Sequence, residues 1–251
     1  MIIGNTTEEF TLLAACDGVY LRKYSKGLVA SSALAGNNLH LHVTNPSESD
    51  LKYIDYLKAA YESLHTRHIM TSSYDTLPIA NFNEDEKRCF YACNRFIVAP
   101  EVVKGDVLII DIDSLIMYHV DNLREDVGLY FRGGDVIRSG VPPWGKKAKI
   151  IMAGSVYCKL KSMDFIRTAR DFINQKDMVW HVDQVALWMS YKQYKKQFNF
   201  KKFDNRHLDW HFQPDTLIWS GKNKSKDYNK AYVRKYREYV NEIKIKEEDY
   251  L

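Results

Sequence analysis

The chain has 251 residues, 45% of them hydrophobic and 27% charged, with a formal net charge of +4. These are ordinary proportions for a globular protein, and the length suits one large α/β domain, or one domain with a short appendage. The charge excess is compatible with anionic ligands such as nucleotides, or with an acidic membrane surface, and is too small to call for nucleic acid. Nowhere is there an apolar run of the ~18 residues that a membrane span needs, and MIIGNTTEEF at the amino terminus has no basic region leading into an apolar stretch. Cys16, Cys89, Cys93 and Cys158 show no metal-type pairing, so buried free thiols in a reducing compartment are expected. A cytoplasmic, non-spanning protein is the expectation.

Phe10 to Cys16 is short and apolar and runs into Asp17-Gly18, which predicts a strand ending in a turn. Leu21 to Ser32 predicts a helix. A turn after a first strand is a natural nucleotide site, where Asp17 can accept a base N–H and Tyr20 can stack on the ring. The plainer reading of the same pair is a solvated turn aspartate and a core tyrosine. Asn38 to Thr44 alternates as a strand with His40 and His42 on one face, satisfied or solvated rather than metal-bound. Ser47 or Ser49 caps a helix to about Leu64, with Leu51, Ile54, Leu57 and Ala60 on its apolar stripe. His65 to Thr71 predicts a third strand. Asn83 to Ala99 opens acidic and turns apolar, a helix that ends before Pro100. Arg95, late in that helix, is either a phosphate or sugar contact or a surface residue.

Val107, Leu108, Ile109 and Ile110 are consecutive apolar residues, and three of them are β-branched. They read as a central strand of a largely parallel sheet, buried on both faces. Asp111 and Asp113 follow where the run ends. Alternate strand residues point the same way, so both carboxylates can project from the strand's carboxyl end, where open α/β sheets bind ligands. Two hard oxygen ligands there suit Mg²⁺ or Mn²⁺ carrying a substrate diphosphate.

Gly128 to Arg132 predicts a strand, Gly133-Gly134 a turn, and Val141 to Lys147 a loop with one aromatic residue. Lys149 to Leu160 predicts a strand interrupted by Ala153-Gly154, a small pair that lets backbone or ligand come close. Ser162 to Gln175 and His181 to Tyr194 have helical spacing, and Asp183-Gln184 falls in the first turn of the second. Thr216 to Trp219 is a last short strand, followed by Ser220-Gly221 and a lysine-rich turn that suits either a diphosphate or plain solvent. Lys230 to Tyr250 carries Tyr232, Tyr236, Tyr239, Val240 and Ile243 on one face, an amphipathic helix expected to pack on the domain in preference to a peripheral membrane surface. Strands alternating with helices over most of the chain argue a three-layer α/β sandwich with a mostly parallel central sheet.

In one order along the chain stand Asn94-Arg95-Phe96, Ala99-Pro100-Glu101, the strand ending in Asp111 and Asp113, Met152-Ala153-Gly154, Asp183-Gln184, and Gly221 followed by Lys224. Together these resemble the Rossmann-like GT-A nucleotide-sugar glycosyltransferases, most closely the retaining family 8 type that includes bacterial galactosyltransferases and glycogenin. The resemblance covers roughly Phe10 to Lys226 and is carried by motifs. It implies that Ala15 and Asp17 hold uracil and Tyr20 stacks on it, that Arg95, Ala153 and Gly154 line the donor, and that Asp111 and Asp113 bind Mn²⁺ or Mg²⁺. It implies further that Asp183 contacts donor sugar hydroxyls, that Gln184 lies beside the reacting carbon, and that Gly221 and Lys224 hold the diphosphate. Three positions depart from the family pattern, one of them Ser225 where the family has Pro. Met152 stands where the family has a sugar-binding Asn, and Ile218 where it has a third metal ligand, His. His207 or His211 is a candidate replacement ligand.

The implied reaction moves a sugar from a UDP-sugar to an acceptor hydroxyl on a glycan, lipid or protein, with Asp183, Gln184 and Lys224 as catalytic residues. Loss of the sugar leaves negative charge on the diphosphate, so catalysis needs cationic stabilisation there. Retention follows from the resemblance; an inverting enzyme would use Asp183 as base. The rivals are a non-catalytic nucleotide-sugar-binding protein of the same fold and a sugar nucleotidyltransferase, although Asp17 to Tyr20 is not the glycine-rich basic loop that the latter needs. The expected organisation is a transferase domain over residues 1–228 and an appended helix over 229–251.

Overall fold

The computed structural model describes residues 2–64, 67–79, 81–131, 151–221 and 225–250. Strands and helices alternate through its first half: β1 (Thr11–Cys16), α1 (Gly18–Leu34), β2 (Asn38–Thr44), α2 (Glu48–Leu64), β3 (Met70–Asp75), α3 (Glu84–Val102) and β4 (Val107–Ile110). The second half continues with β5 (Leu115–Ile116), β6 (Val127–Phe131), β7 (Ile151–Cys158), α4 (Asp164–Asn174), α5 (Val182–Tyr194), β8 (Phe200–Phe203), β9 (Leu208–Asp209), β10 (Ile218–Trp219), α6 (Ser225–Tyr228) and α7 (Lys230–Asn241).

Alternation along the central strands divides the interior into two layers. Leu12 and Ala14 of β1, Leu39 and Leu41 of β2 and Leu108 and Ile110 of β4 pack with Leu28 of α1 and Leu57 and Tyr61 of α2. Leu13, Val107 and Ile109 point to the other side, against Phe96 of α3, Phe165 of α4 and Leu187 of α5. Each fully buried side chain of this kind contributes about 1.5 to 3 kcal/mol relative to exposure. The result is a helix–sheet–helix sandwich.

The main sheet has seven strands in the order β3-β2-β1-β4-β7-β6-β8. β1 pairs in parallel with β2 and β4, β2 with β3 and β6 with β8, while β7 runs antiparallel to both β4 and β6. The mostly parallel sheet expected from the run at Val107 is therefore present. A small second sheet, β5-β10-β9, lies beyond the end of β4. No helix among the described residues is long and apolar enough to cross a membrane.

Three expected boundaries move. The third strand is Met70–Asp75 rather than His65 to Thr71: Ser73 and Asp75 are inward polar positions, so its sequence lacks the apolar run that marks a buried strand. α3 passes through Pro100 to Val102, because Val102 and Val103 are buried and the Val102 carbonyl is satisfied by the Thr6 N–H at 2.9 Å. α7 stops at Asn241, well short of Tyr250. The expected turn at Gly133-Gly134 and loop at Val141 to Lys147 lie outside the described residues. α7 packs on α1 and the small sheet, where the Tyr236 hydroxyl donates to the Lys23 carbonyl at 3.2 Å and the Tyr239 hydroxyl to that of Ile116 at 3.3 Å.

His40 and His42 face β3 and are fully buried. His40 makes 2.7 Å hydrogen bonds to Thr71 and Ser73 hydroxyls and is a satisfied strand residue, while His42 makes one of 2.8 Å to Ser73 and its Nε2 stands 3.3 Å from Asp75 Oδ1. All four cysteines are free and buried.

Candidate active site

β4 stops at Ile110, and the Ser114 N–H donates to the Asp111 carbonyl at 3.1 Å to close a turn. Asp111 and Asp113 therefore sit on a turn, not on alternate positions of a strand, and their carboxylates go to different partners. This corrects the expectation that the two project together.

Asp111 belongs to a cluster centred on Arg95. The Arg95 guanidinium is buried beneath the carboxyl end of β4, with Nη1 2.8 Å from Asp111 Oδ1 and Nη2 3.6 Å from Asp183 Oδ2. Nη2 also donates to the Ala153 carbonyl at 3.2 Å. Arg95 is thus no surface residue: one planar fork joins α3, the β4 turn, β7 and α5. Gly154 completes the contact, since a Cβ there would stand 2.8 Å from Asp111 Oδ2. The register between β6 and β7 slips at this point, which is why the Ala153-Gly154 backbone is free to turn toward the site. The Ser220 hydroxyl adds a 3.3 Å bond to Asp111 Oδ2. Burial raises the pKa of Asp183, with Arg95 opposing it.

Asp113 belongs to a second cluster. Its Oδ2 takes the ammonium of Lys226, from the short helix α6, and both groups are almost fully buried. The same ammonium stands 4.3 Å from the ring centroid of Tyr24 and 5.3 Å from that of Tyr20. Burial pushes the Asp113 carboxyl up to about 6, against the pull of Lys226 and with added repulsion from Asp111. The Tyr232 hydroxyl of α7 donates to the Asp113 carbonyl at 2.6 Å. Ser220 and Lys226 belong to the lysine-rich turn read from the sequence, in which the resemblance assigns the diphosphate to Lys224; Lys224 lies outside the described residues.

Asp17 and Tyr20 are placed at the entry to α1. Asp17 caps the helix, its Oδ1 accepting from the Tyr20 N–H at 2.8 Å, and Tyr20 is 43% exposed and so is not a core tyrosine. Ala15 is buried on the strand just before them. Gln184 follows Asp183, its N–H donating to Asp183 Oδ1 at 2.8 Å. Its side-chain Oε1 is buried with no hydrogen-bond partner among the described residues, as are Asp113 Oδ1, Arg95 Nε and Ser114 Oγ. Buried polar atoms without partners are rare, and several at one sheet end suit a polar ligand.

Two of the positions that depart from the motif pattern are also placed. Ile218 is fully buried in the small sheet, paired with Ile116 and Leu208, and Met152 lies on β7. His207 keeps Nδ1 2.9 Å from Asp204 Oδ1 and stacks on Phe203, and His211 is exposed; among the described residues neither contacts Asp111 or Asp113. Among the described residues no three His, Cys, Asp or Glu side chains gather as a metal site.

No protein-family model and no curated protein matches the chain. Solved structures do. Glycosyltransferase GlyE of Streptococcus pneumoniae TIGR4 is similar with a TM-score of 0.56 and 14% identity, over 98% of this chain and 62% of GlyE. Galactosyltransferase LgtC, solved with donor and acceptor sugar analogs, gives 0.58 and 12%, over 94% of this chain and 97% of LgtC. The bifunctional glycosyltransferase WbbM in its apo form gives 0.62 and 12%, over 93% of this chain and 50% of WbbM. The chain thus spans less than two thirds of GlyE and half of WbbM, but nearly all of LgtC. This likeness to solved glycosyltransferases identifies the fold: this chain has the GT-A glycosyltransferase fold.

Proposed function

We propose that the chain transfers a glycosyl group from a nucleotide diphosphate sugar, most simply a UDP-sugar, to an acceptor hydroxyl. The observation that carries this reading is the Arg95 fork, which holds Asp111 and Asp183 side by side at the ligand-binding end of a GT-A sheet. Asp17 and Tyr20 then face the base, Ala15 and Gly154 give it and the diphosphate room, and Asp183 accepts hydrogen bonds from donor sugar hydroxyls. In the reaction the bond between anomeric carbon and diphosphate oxygen breaks, its electron pair staying on the diphosphate. The acceptor oxygen bonds to the anomeric carbon and gives its proton to the departing diphosphate, which is the balance for retention; with inversion the proton goes to Asp183. Gln184, with its unpartnered amide oxygen, lies next to Asp183 where positive charge grows on the sugar. Residues 1–228 are the catalytic body, and 229–251 brace it through Tyr232. Four buried free thiols favour a reducing compartment, the cytoplasm.

The two aspartates as arranged do not fit Mn²⁺ or Mg²⁺. Asp113 is already paired with the buried ammonium of Lys226, which a divalent ion would first have to displace. Asp111 is already held by Arg95 and Ser220, and Ile218 removes the third ligand.

A thermal-shift series with nucleotide sugars tests the donor, because a ligand bound only by the folded state raises the melting temperature. A UDP-sugar is expected to stabilise the protein; no shift with any nucleotide sugar would contradict the reading. Ile218 and Met152 favour one second reading, a nucleotide-sugar-binding protein without turnover, which would show the shift and release no UDP with any acceptor.

A further inference from the structure

We propose that the ammonium of Lys226 occupies the place of a divalent cation beside Asp113, so that this chain binds its nucleoside diphosphate and stabilises the leaving group without a metal. The inference rests on the glycosyl-transfer reading above and adds the identity of the cation.

The site for the ammonium is built. The Lys226 stem lies directly on Gly221, where an added Cβ would come within 2.5 Å of Lys226 Cβ and 2.7 Å of its Cδ. Only a residue without a side chain leaves that path open. α6 is fixed from the other side by Asp227, which accepts from the Tyr24 hydroxyl and pairs with Lys23, each at 3.1 Å. Tyr24 and Tyr20 then present their faces to the ammonium, an arrangement that favours a desolvated cation. Burial works against the charge, yet Asp113 outweighs it and the Lys226 pKa is raised above its ordinary value.

The ammonium also stands where a diphosphate would arrive. Tyr20, the residue expected over the base, is one of the two rings around it, and Asp113 Oδ1 is buried with no hydrogen-bond partner among the described residues. A lysine is a compact cation with three donors, so it can hold Asp113 and still offer N–H groups to phosphate oxygens. Breaking the anomeric bond leaves negative charge on the diphosphate, and Lys226 meets it with no ion to recruit.

The test is calorimetric titration of UDP, GDP and ADP into the full chain, first with EDTA and then with 1 mM Mn²⁺, on the wild type and on Lys226→Met and Lys226→Arg. The expected result is that one diphosphate binds with affinities agreeing within about twofold in the two conditions. Lys226→Met is expected to weaken it tenfold or more and Lys226→Arg by only a few-fold, with melting temperatures recorded to show that each variant is folded. A wild type that binds more than tenfold tighter with Mn²⁺ overturns the inference and leaves the glycosyl-transfer reading standing, and so does an unchanged affinity in a folded Lys226→Met. Failure of every diphosphate in both conditions overturns the two together.

Discussion

Two cations serve neighbouring aspartates at the same end of the sheet, and they are built in different ways. Arg95 comes from the long helix α3 and ties four elements through contacts of 2.8 to 3.6 Å. Lys226 comes from a four-residue helix, α6, and touches one carboxylate and two rings. The first cluster is a structural junction, whereas the second hangs on a short segment outside the main sheet. On the proposed reading the first cluster holds the sugar and the second the diphosphate, and because they are built separately each can be attacked alone.

The largest effect is expected from Arg95→Ala. It strands the buried Asp183 carboxylate and takes the closest cation from the partly exposed Asp111, which costs about 3 kcal/mol and, at this chain length, lowers the melting temperature by roughly 10 °C, with transfer lost as well. Arg95→Lys is expected to recover little, because a point charge cannot bridge Asp111, Asp183 and the Ala153 carbonyl together. Equal melting temperatures for the wild type and Arg95→Ala in a calorimeter would break the comparison.

A pH titration of stability comes next, taken as the difference between the wild type and His40→Gln, because Asp113 and Asp183, whose pKa values burial raises, titrate in the same window with the opposite sign. Burial first, then His42 and Lys58, lowers the pKa of His40 from 6.5 to about 3. Below 6.5 the unfolded chain takes up a proton that the folded chain refuses, so this contribution to stability is complete above that pH and is lost as pH falls toward 3. At ~1.4 kcal/mol per unit, about 3 kcal/mol disappears between pH ~6.5 and ~4.5. Denaturant melts of the two proteins across that range should differ by this slope; parallel pH profiles would count against it.

The smallest effect is expected from Gly221→Ala. Its Cβ meets the Lys226 stem, not the Arg95 fork, at a cost of about 1 to 3 kcal/mol from overpacking. Diphosphate affinity should fall several-fold while the Arg95 cluster stays intact; a fall in affinity no larger than that from a remote surface Gly→Ala would blunt the distinction.

Much of the fold was legible in the sequence because periodicity and burial coincide. β2 spans Asn38–Thr44 as read, and α1, α2, α4 and α5 stand where apolar spacing put them. β5 and β9 have two residues each and β8 is FKKF, so none carries a pattern that separates it from a loop. Arg95, Ala153, Gly154, Asp111 and Asp183 were legible as separate motifs, and the structure brings them together. Lys226 was legible only as one of the lysines in a turn. Its meaning depends on a stem crossing Gly221 and an ammonium meeting Asp113 from 113 positions away, and no local spacing encodes that.

The most direct test of the account is release of nucleoside diphosphate from a series of nucleotide sugars with varied acceptors, comparing the wild type with Asp183→Asn. The account predicts that one donor, a UDP-sugar, yields UDP with the wild type and on the order of a hundredfold more slowly with the variant, the scale typical of losing a charged group that acts on the transition state. Release from no donor, or release at the same rate from both proteins, would contradict it.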